Sequence, residues 1–220
     1  MRDYLSVIRL IIQTTYDIIP IFIVTKKMQD IENLISTYAD NEITIERKDI
    51  KNMDTQDIET VSKHLCDGDI MDMMFGPVAR YLVSIMPAKI CFKFFLKEMS
   101  DKNAILWFIK HNNQYIGRIV LYDGDRTVSQ LICDENTICK EIGLCLKKEY
   151  INKKIATKIC KNILQPLREI SIDKKYKFYY RCIHKNLNVI NLSFNQGIKI
   201  TCSLKLPVLG CYEDFFIFCI

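Results

Sequence analysis

A chain of 220 residues with 49% hydrophobic and 26% charged residues has the makeup of one ordinary globular domain with a sizeable core, which excludes large-scale disorder. The formal net charge of +5 suits an anionic ligand but is too small to argue for nucleic acid by itself. Ten cysteines without a CxxC pair, and only three histidines (His64, His111 and His184), exclude zinc-ligand spacing; most cysteines sit in apolar runs and read as small core residues in a reducing compartment.

The first 40 residues hold an apolar helix-like stretch, a β-branched run "IPIFIV" and a mostly polar helix from Lys26 to Tyr38. Arg9, Gln13, Asp17 and Pro20 interrupt the apolar stretch, so it lacks the roughly 18 consecutive apolar residues of a membrane span. No small-residue cleavage site follows it either. Packed helix and strand, in a cytoplasmic protein, is the expectation. "EITIERKDI" alternates Ile43 and Ile45 with polar residues, as a half-buried strand does. In "NMDTQDIETVSKHL", Asp54 or Thr55 can cap a helix whose stripe is Ile58, Val61 and Leu65. "GPVARYLVSIMP" is bounded by Pro77 and Pro87, and "KICFKFFLKEM" reads as a further amphipathic helix.

From Ala104 the pattern changes to strands. Asn112-Asn113 and Asp123-Gly124 punctuate an antiparallel meander expected over residues 105 to 146, with a strand after each turn. Beyond Asn152, Ile155, Ile159 and Ile163 recur at helical spacing beside Ala156, Cys160 and Leu164, and Pro166 marks the helix end or a kink. "KYKFYYRCIHKN" is a strand, "NVINLSFNQ" a short helix stopped by Gly197, and "IKITCSLKL" with "CYEDFFIFCI" a closing hairpin through Pro207 and Gly210. The order predicts a mixed α/β domain on one sheet.

"EIGLCLKKEYINKKIATKI" resembles the acetyl-CoA-binding segment of the GNAT N-acetyltransferases: a strand, a Pro-Glu-Tyr-like turn, then a phosphate loop opening a helix. Three more pieces fall in the family's order. "NLNVINLSFNQGIKI" is similar to its Asn-x-x-Ser helix and Gly, "GCYEDFFIF" to its last strand, and "TIERKDIKNMDTQDIETVSKHL" to the first strand and helix of the branch that acetylates ribosomal-protein N-termini. The likeness spans residues 42 to 220 and leaves residues 1–40 as an N-terminal extension before a GNAT-like domain at 41–220. It implies a mostly antiparallel twisted sheet of six to seven strands flanked by helices.

The resemblance implies acetyl-CoA as cosubstrate and an amine acceptor: a protein N-terminus, a lysine or a small amine. A homodimer is compatible with it, whereas a nucleic-acid partner and a membrane span are not expected. The strand from Ile142 to Leu146 would splay from its neighbour. Leu144, Cys145 and Leu146 would then meet the pantetheine arm, a backbone N–H near Leu144 or Cys145 would hold the oxyanion, and Asn186 would support the splay or cap its own helix. Asn152, Lys153, Lys154, Ile155, Ala156 and Thr157 would cradle the pyrophosphate, because backbone N–H groups at a helix start lack partners and the macrodipole is positive there. The chain departs from the family at four positions. Ile151 takes the Arg/Gln place, Lys154 the loop glycine, Ser193 the usual general-acid tyrosine, and Arg181 a glutamate base.

Two readings of Lys153 and Lys154 stand open. Each is a solvated cation costing about 0.3–1 kcal/mol at a helix N-terminus, or a partner of phosphate. Glu141 is a strand-end residue or a base for the acceptor ammonium, and His184 is a hydrogen-bonded strand histidine or a proton acceptor. With Ser193, these are the candidate catalytic residues. The rival to an acetyltransferase is a GNAT-like module that binds CoA or another protein without turnover.

Overall fold

The computed structural model describes residue 35 and residues 42–172, 176–208 and 211–220. Seven strands form one sheet: β1 (Ile43–Lys48), β2 (Ile105–His111), β3 (Gln114–Asp123), β4 (Ile138–Leu146), β5 (Tyr176–Ile183), β6 (Ile200–Val208) and β7 (Cys211–Cys219), in the order β1-β2-β3-β4-β5-β7-β6. Every neighbouring pair is antiparallel except β4 and β5, which run parallel. Among the described residues seven α-helices accompany it: α1 (Thr55–Leu65), α2 (Gly68–Phe75), α3 (Pro77–Ile85), α4 (Ala88–Asp101), α5 (Arg126–Ile132), α6 (Ile155–Ile172) and α7 (Leu187–Asn195). The mixed α/β class and the strand count are those read from the sequence. The expectations for residues 1–34 and for Gly210 lie outside the described residues.

Local chemistry accounts for most boundaries. Asp54 caps α1 by accepting from Asp57 N at 2.7 Å, and Asp67 caps α2 by accepting from Asp69 N and Ile70 N. Pro77 sits in the first turn of α3, where its missing N–H costs nothing. Asn112 and Asn113 both take positive φ, 49° and 62°, which gives the β2–β3 hairpin the twist of its strands.

One expectation required correction. After Asp123-Gly124 the chain makes helix α5 instead of a strand. Asp125 accepts from Thr127 N and Val128 N, and that cap outweighs the β-branched pair Thr127-Val128, whose Val128 is fully buried. Of the two readings of Pro166, an end or a kink, the first is excluded: helix α6 runs on to Ile172, held by Ile159, Ile163 and Leu167 in the core.

Helices cover both faces. On one, α6 packs Ile155, Ile159, Ile163 and Leu167 against Trp107, Ile109, Ile119 and Leu121, a cluster that also takes in Ile35. On the other, Val61 and Leu65 of α1 and Phe92, Phe95 and Met99 of α4 cover Leu106, Phe108 and Val120. Each fully buried side chain of this size contributes about 1.5–3 kcal/mol. The nine described cysteines are free thiols. No helix among the described residues is long and apolar enough to cross a membrane.

Candidate active site

Strands β4 and β5 pair only from Ile138 opposite Tyr176 to Glu141 opposite Tyr179. Beyond that point β4 stays with β3, as far as Leu146 opposite Gly117, and β5 stays with β7. A V-shaped gap therefore opens between Ile142–Leu146 and Arg181–Ile183. The ladder fixes which backbone groups face it. Lys147 N donates to Ile116 O at 2.7 Å and Gly124 N to Cys139 O at 2.9 Å, so odd-numbered residues of β4 turn toward β3. Ile142, Leu144 and Leu146 turn toward the gap. Of Leu144 and Cys145, it is Leu144 whose N–H faces that way. On β5, Ile220 N donates to Phe178 O and His184 N to Asp214 O, so even-numbered residues turn to β7 and Arg181 and Ile183 to the gap.

The closed end of the gap is a hydrogen-bonded knot. Glu141 is buried, and its two carboxylate oxygens accept from Tyr179 Oη at 3.0 Å and Arg181 Nε at 2.7 Å. Tyr179 Oη in turn accepts from Asp125 N at 2.8 Å. Burial, then the Glu141 charge, hold the Tyr179 phenol above its ordinary range. Glu141 thus sits at the base of the split, with both oxygens already engaged.

Beyond the end of β4 lies a cavity of about 430 Å³ between Asp69, Asp72 and Met73 of α2 and Lys148, Ile151 and Asn152 of the loop after β4. Helix α2 spans the two arms. Asp69 is ion-paired with Lys148 beyond β4, and the Met73 carbonyl accepts from Asn186 Nδ2 at 3.0 Å beyond β5. Asn186 also caps α7, its Oδ1 accepting from Val189 N at 3.3 Å. Arg80 balances the rim carboxylates at 3.3 Å from Asp69 and 3.6 Å from Asp72.

The loop carries the resemblance in its backbone. Asn152 and Lys154 both take positive φ, 64° and 61°. Lys154 stands where the resemblance puts a glycine, and its conformation is one glycine adopts freely. The first helical bond of α6 runs from Lys158 N to Lys154 O at 3.0 Å, which leaves the N–H groups of Ile155, Ala156 and Thr157 ahead of it as donors. The Lys153 ammonium lies 5.2 Å from the Tyr150 ring centroid, while the Lys154 side chain is exposed.

The remaining candidates lie apart from the closed end. Ser193 is buried, accepts from Tyr180 Oη and donates to Val189 O, both at 2.6 Å. His184 Nδ1 lies 3.3 Å from the Asp214 carbonyl.

Sequence reasoning missed a buried cluster beside the β4 arm. Arg118 donates to His64 Nδ1 at 3.0 Å, and Tyr115 Oη lies 2.8 Å from the same nitrogen. Since a guanidinium only donates, Nδ1 carries the lone pair and Nε2 the proton. That proton serves the Leu146 carbonyl, with Cys145 Sγ 3.5 Å away. Burial first, then the Arg118 charge, push His64 down to about 3, and burial raises the Cys145 thiol. The Cys145 sulfur is thus a protonated wall atom. The "SKHL" end of a capped helix held no signal for this, because its partners come from β3 and β4.

Neither a family model nor a curated protein matches the chain. Solved structures do. The microcin C7 self-immunity acetyltransferase MccE, in complex with acetyl-CoA and AMP, is similar at TM-score 0.55 and 19% identity, over 82% of this chain and 93% of that one. A GNAT-family acetyltransferase from Bacillus anthracis gives 0.56 and 18%, over 82% and 95%. The ribosomal L7/L12 α-N-protein acetyltransferase RimL, in complex with coenzyme A, gives 0.54 and 12%, over 82% and 94%. The chain has the fold of the GNAT acetyltransferases.

Proposed function

We propose that the protein is an acetyl-CoA-dependent N-acetyltransferase that passes the acetyl group directly to a primary amine. The observation that carries this reading is the β4–β5 gap, with the backbone of Ile142, Leu144 and Leu146 turned into it and the helix start of α6 beside its mouth. An extended pantetheine amide chain can pair with those groups as an added strand would. The N–H groups of Ile155, Ala156 and Thr157 suit a pyrophosphate. The acyl group then reaches the closed end, where the Leu144 N–H is a donor for the oxygen of the tetrahedral intermediate. The acceptors open to it are a protein N-terminus, a lysine or a small amine. MccE carries acetyl-CoA and RimL coenzyme A in their own complexes, which supports the choice of cosubstrate.

The engagement of Glu141 by Arg181 and of Ser193 by Tyr180 favours a second reading, a CoA-binding module without turnover. Calorimetric titration with acetyl-CoA and with free CoA decides. Binding of both, with thioester loss on an amine panel, is the expected outcome. Absence of binding at millimolar ligand overturns both readings; binding without thioester loss leaves the module. Lys154→Ala is expected to weaken CoA about tenfold if the ammonium pairs with phosphate. A tightening identifies the side chain as an obstruction.

A further inference from the structure

Tyr122 lies on β3 directly opposite Glu141 of β4, on the sheet face covered by α1 and α4. Two residues along β4 is Gly143, where an added Cβ would meet Tyr122 Cε2 at 3.6 Å. The ring therefore leans across β4 over a residue with no side chain, beside Leu144, whose backbone faces the gap. Lys102 Nζ sits 5.3 Å from the ring centroid on the α4 side.

The hydroxyl is the unusual part. Tyr115, Tyr179 and Tyr180 each engage theirs, with His64, Glu141 and Ser193 respectively. Among the described residues the Tyr122 hydroxyl has no hydrogen-bond partner. Tyr122 is half-buried, and the fully sealed partnerless side-chain oxygens among the described residues are Ser129 Oγ and Ser171 Oγ, not its own. It lies within electrostatic reach of Glu141 and Arg181 at the closed end, and of Glu98 and Arg118. Burial, then the Glu98 and Glu141 charges, hold the phenol above the ordinary tyrosine range, so it keeps its proton through neutral pH.

We propose that Tyr122 is a catalytic residue whose hydroxyl donates a hydrogen bond to the acyl oxygen at the closed end of the gap, paired with the Leu144 N–H. This rests on the acetyltransferase reading above. The amine nitrogen bonds to the thioester carbon, the C–S bond breaks, the nitrogen loses a proton and the leaving sulfur gains one. Tyr122 keeps its own proton throughout and stabilises the oxygen only while it carries negative charge. The role supplies a donor from β3 in a chain whose α7 carries Ser193 at the tyrosine position.

Tyr122→Phe removes an oxygen that bonds none of the described residues, so the variant is expected to melt within about 2 °C of wild type. Free CoA should bind both proteins alike. With an active amine, kcat is expected to fall about 100-fold while the KM for acetyl-CoA stays within about twofold. A second arm needs no acceptor: S-carboxymethyl-CoA presents a carboxylate oxygen near the acyl position, and wild type should bind it about tenfold tighter than Tyr122→Phe does. Equal affinity of the two proteins for this probe, with CoA binding intact, overturns the Tyr122 role and leaves the acetyltransferase reading standing. Failure of wild type to bind CoA at all overturns both.

Discussion

Strand β4 behaves as two different objects along its length. From Ile138 to Glu141 it is bonded on both sides and ends in a carboxylate gripped by a tyrosine and an arginine. From Ile142 to Leu146 it is bonded on one side only, and its other edge meets the gap. The closed half is held by side chains reaching across from β5. The open half is held from β3 and from α1, through the His64 bond to the Leu146 carbonyl. Splitting a sheet without unravelling it thus takes a knot at the fork and a brace behind the free arm, because unpaired backbone edges otherwise close or fray.

Removing the knot has the largest expected effect. Glu141→Ala leaves Arg181, whose side chain is 20% exposed, with Asp125 at 3.9 Å as its remaining carboxylate, and is expected to cost about 3 kcal/mol in urea denaturation. Replacing both partners with apolar residues, Glu141→Leu with Arg181→Met, should restore most of that. A single-variant cost below about 1 kcal/mol would show that the ladder alone holds the fork.

The brace is tested by pH. His64 is neutral when folded, with its pKa pushed down to about 3, whereas the unfolded chain protonates it near the ordinary histidine value of 6.5. The unfolded state therefore binds more protons between those values, and stability is complete above pH 6.5 and lost as pH falls toward 3. Acidifying wild type from pH 6.5 to 5 is expected to lower its stability by about 2 kcal/mol from this residue. His64→Gln should flatten that slope while keeping an N–H for Leu146. An unchanged slope in the variant would mean that other groups carry the acid sensitivity.

The sequence carried the closed half poorly and the open half well. Ile142–Leu146 came from the resemblance, which rests on a strand, a turn and a helix start that lie close together in the chain. The resemblance placed Lys154 at the loop glycine, while its left-handed backbone came only with the structure. The knot was hidden, because Glu141, Arg181, Tyr179 and Asp125 lie up to 56 residues apart in the chain, 181 minus 125, and meet only through strand register. Tyr122 was hidden for the same reason, as its importance depends on Gly143 of the next strand. Helix α5 was misread because Asp123-Gly124 reads as a hairpin turn, whereas Asp125, directly after it, caps a helix.

The smallest effect lies at the mouth of the gap, and it separates backbone from charge. Lys154 holds φ at 61°, which costs a residue with a β-carbon about 1 kcal/mol relative to glycine. Lys154→Gly is expected to raise stability by about that amount, and Lys154→Ala to leave it unchanged, since alanine keeps the β-carbon. Both remove the ammonium. If CoA affinity falls equally in the two variants, charge is what this position supplies to the open half. If glycine binds CoA better than alanine does, the β-carbon crowds the phosphate, and the loop tolerates lysine there without using it.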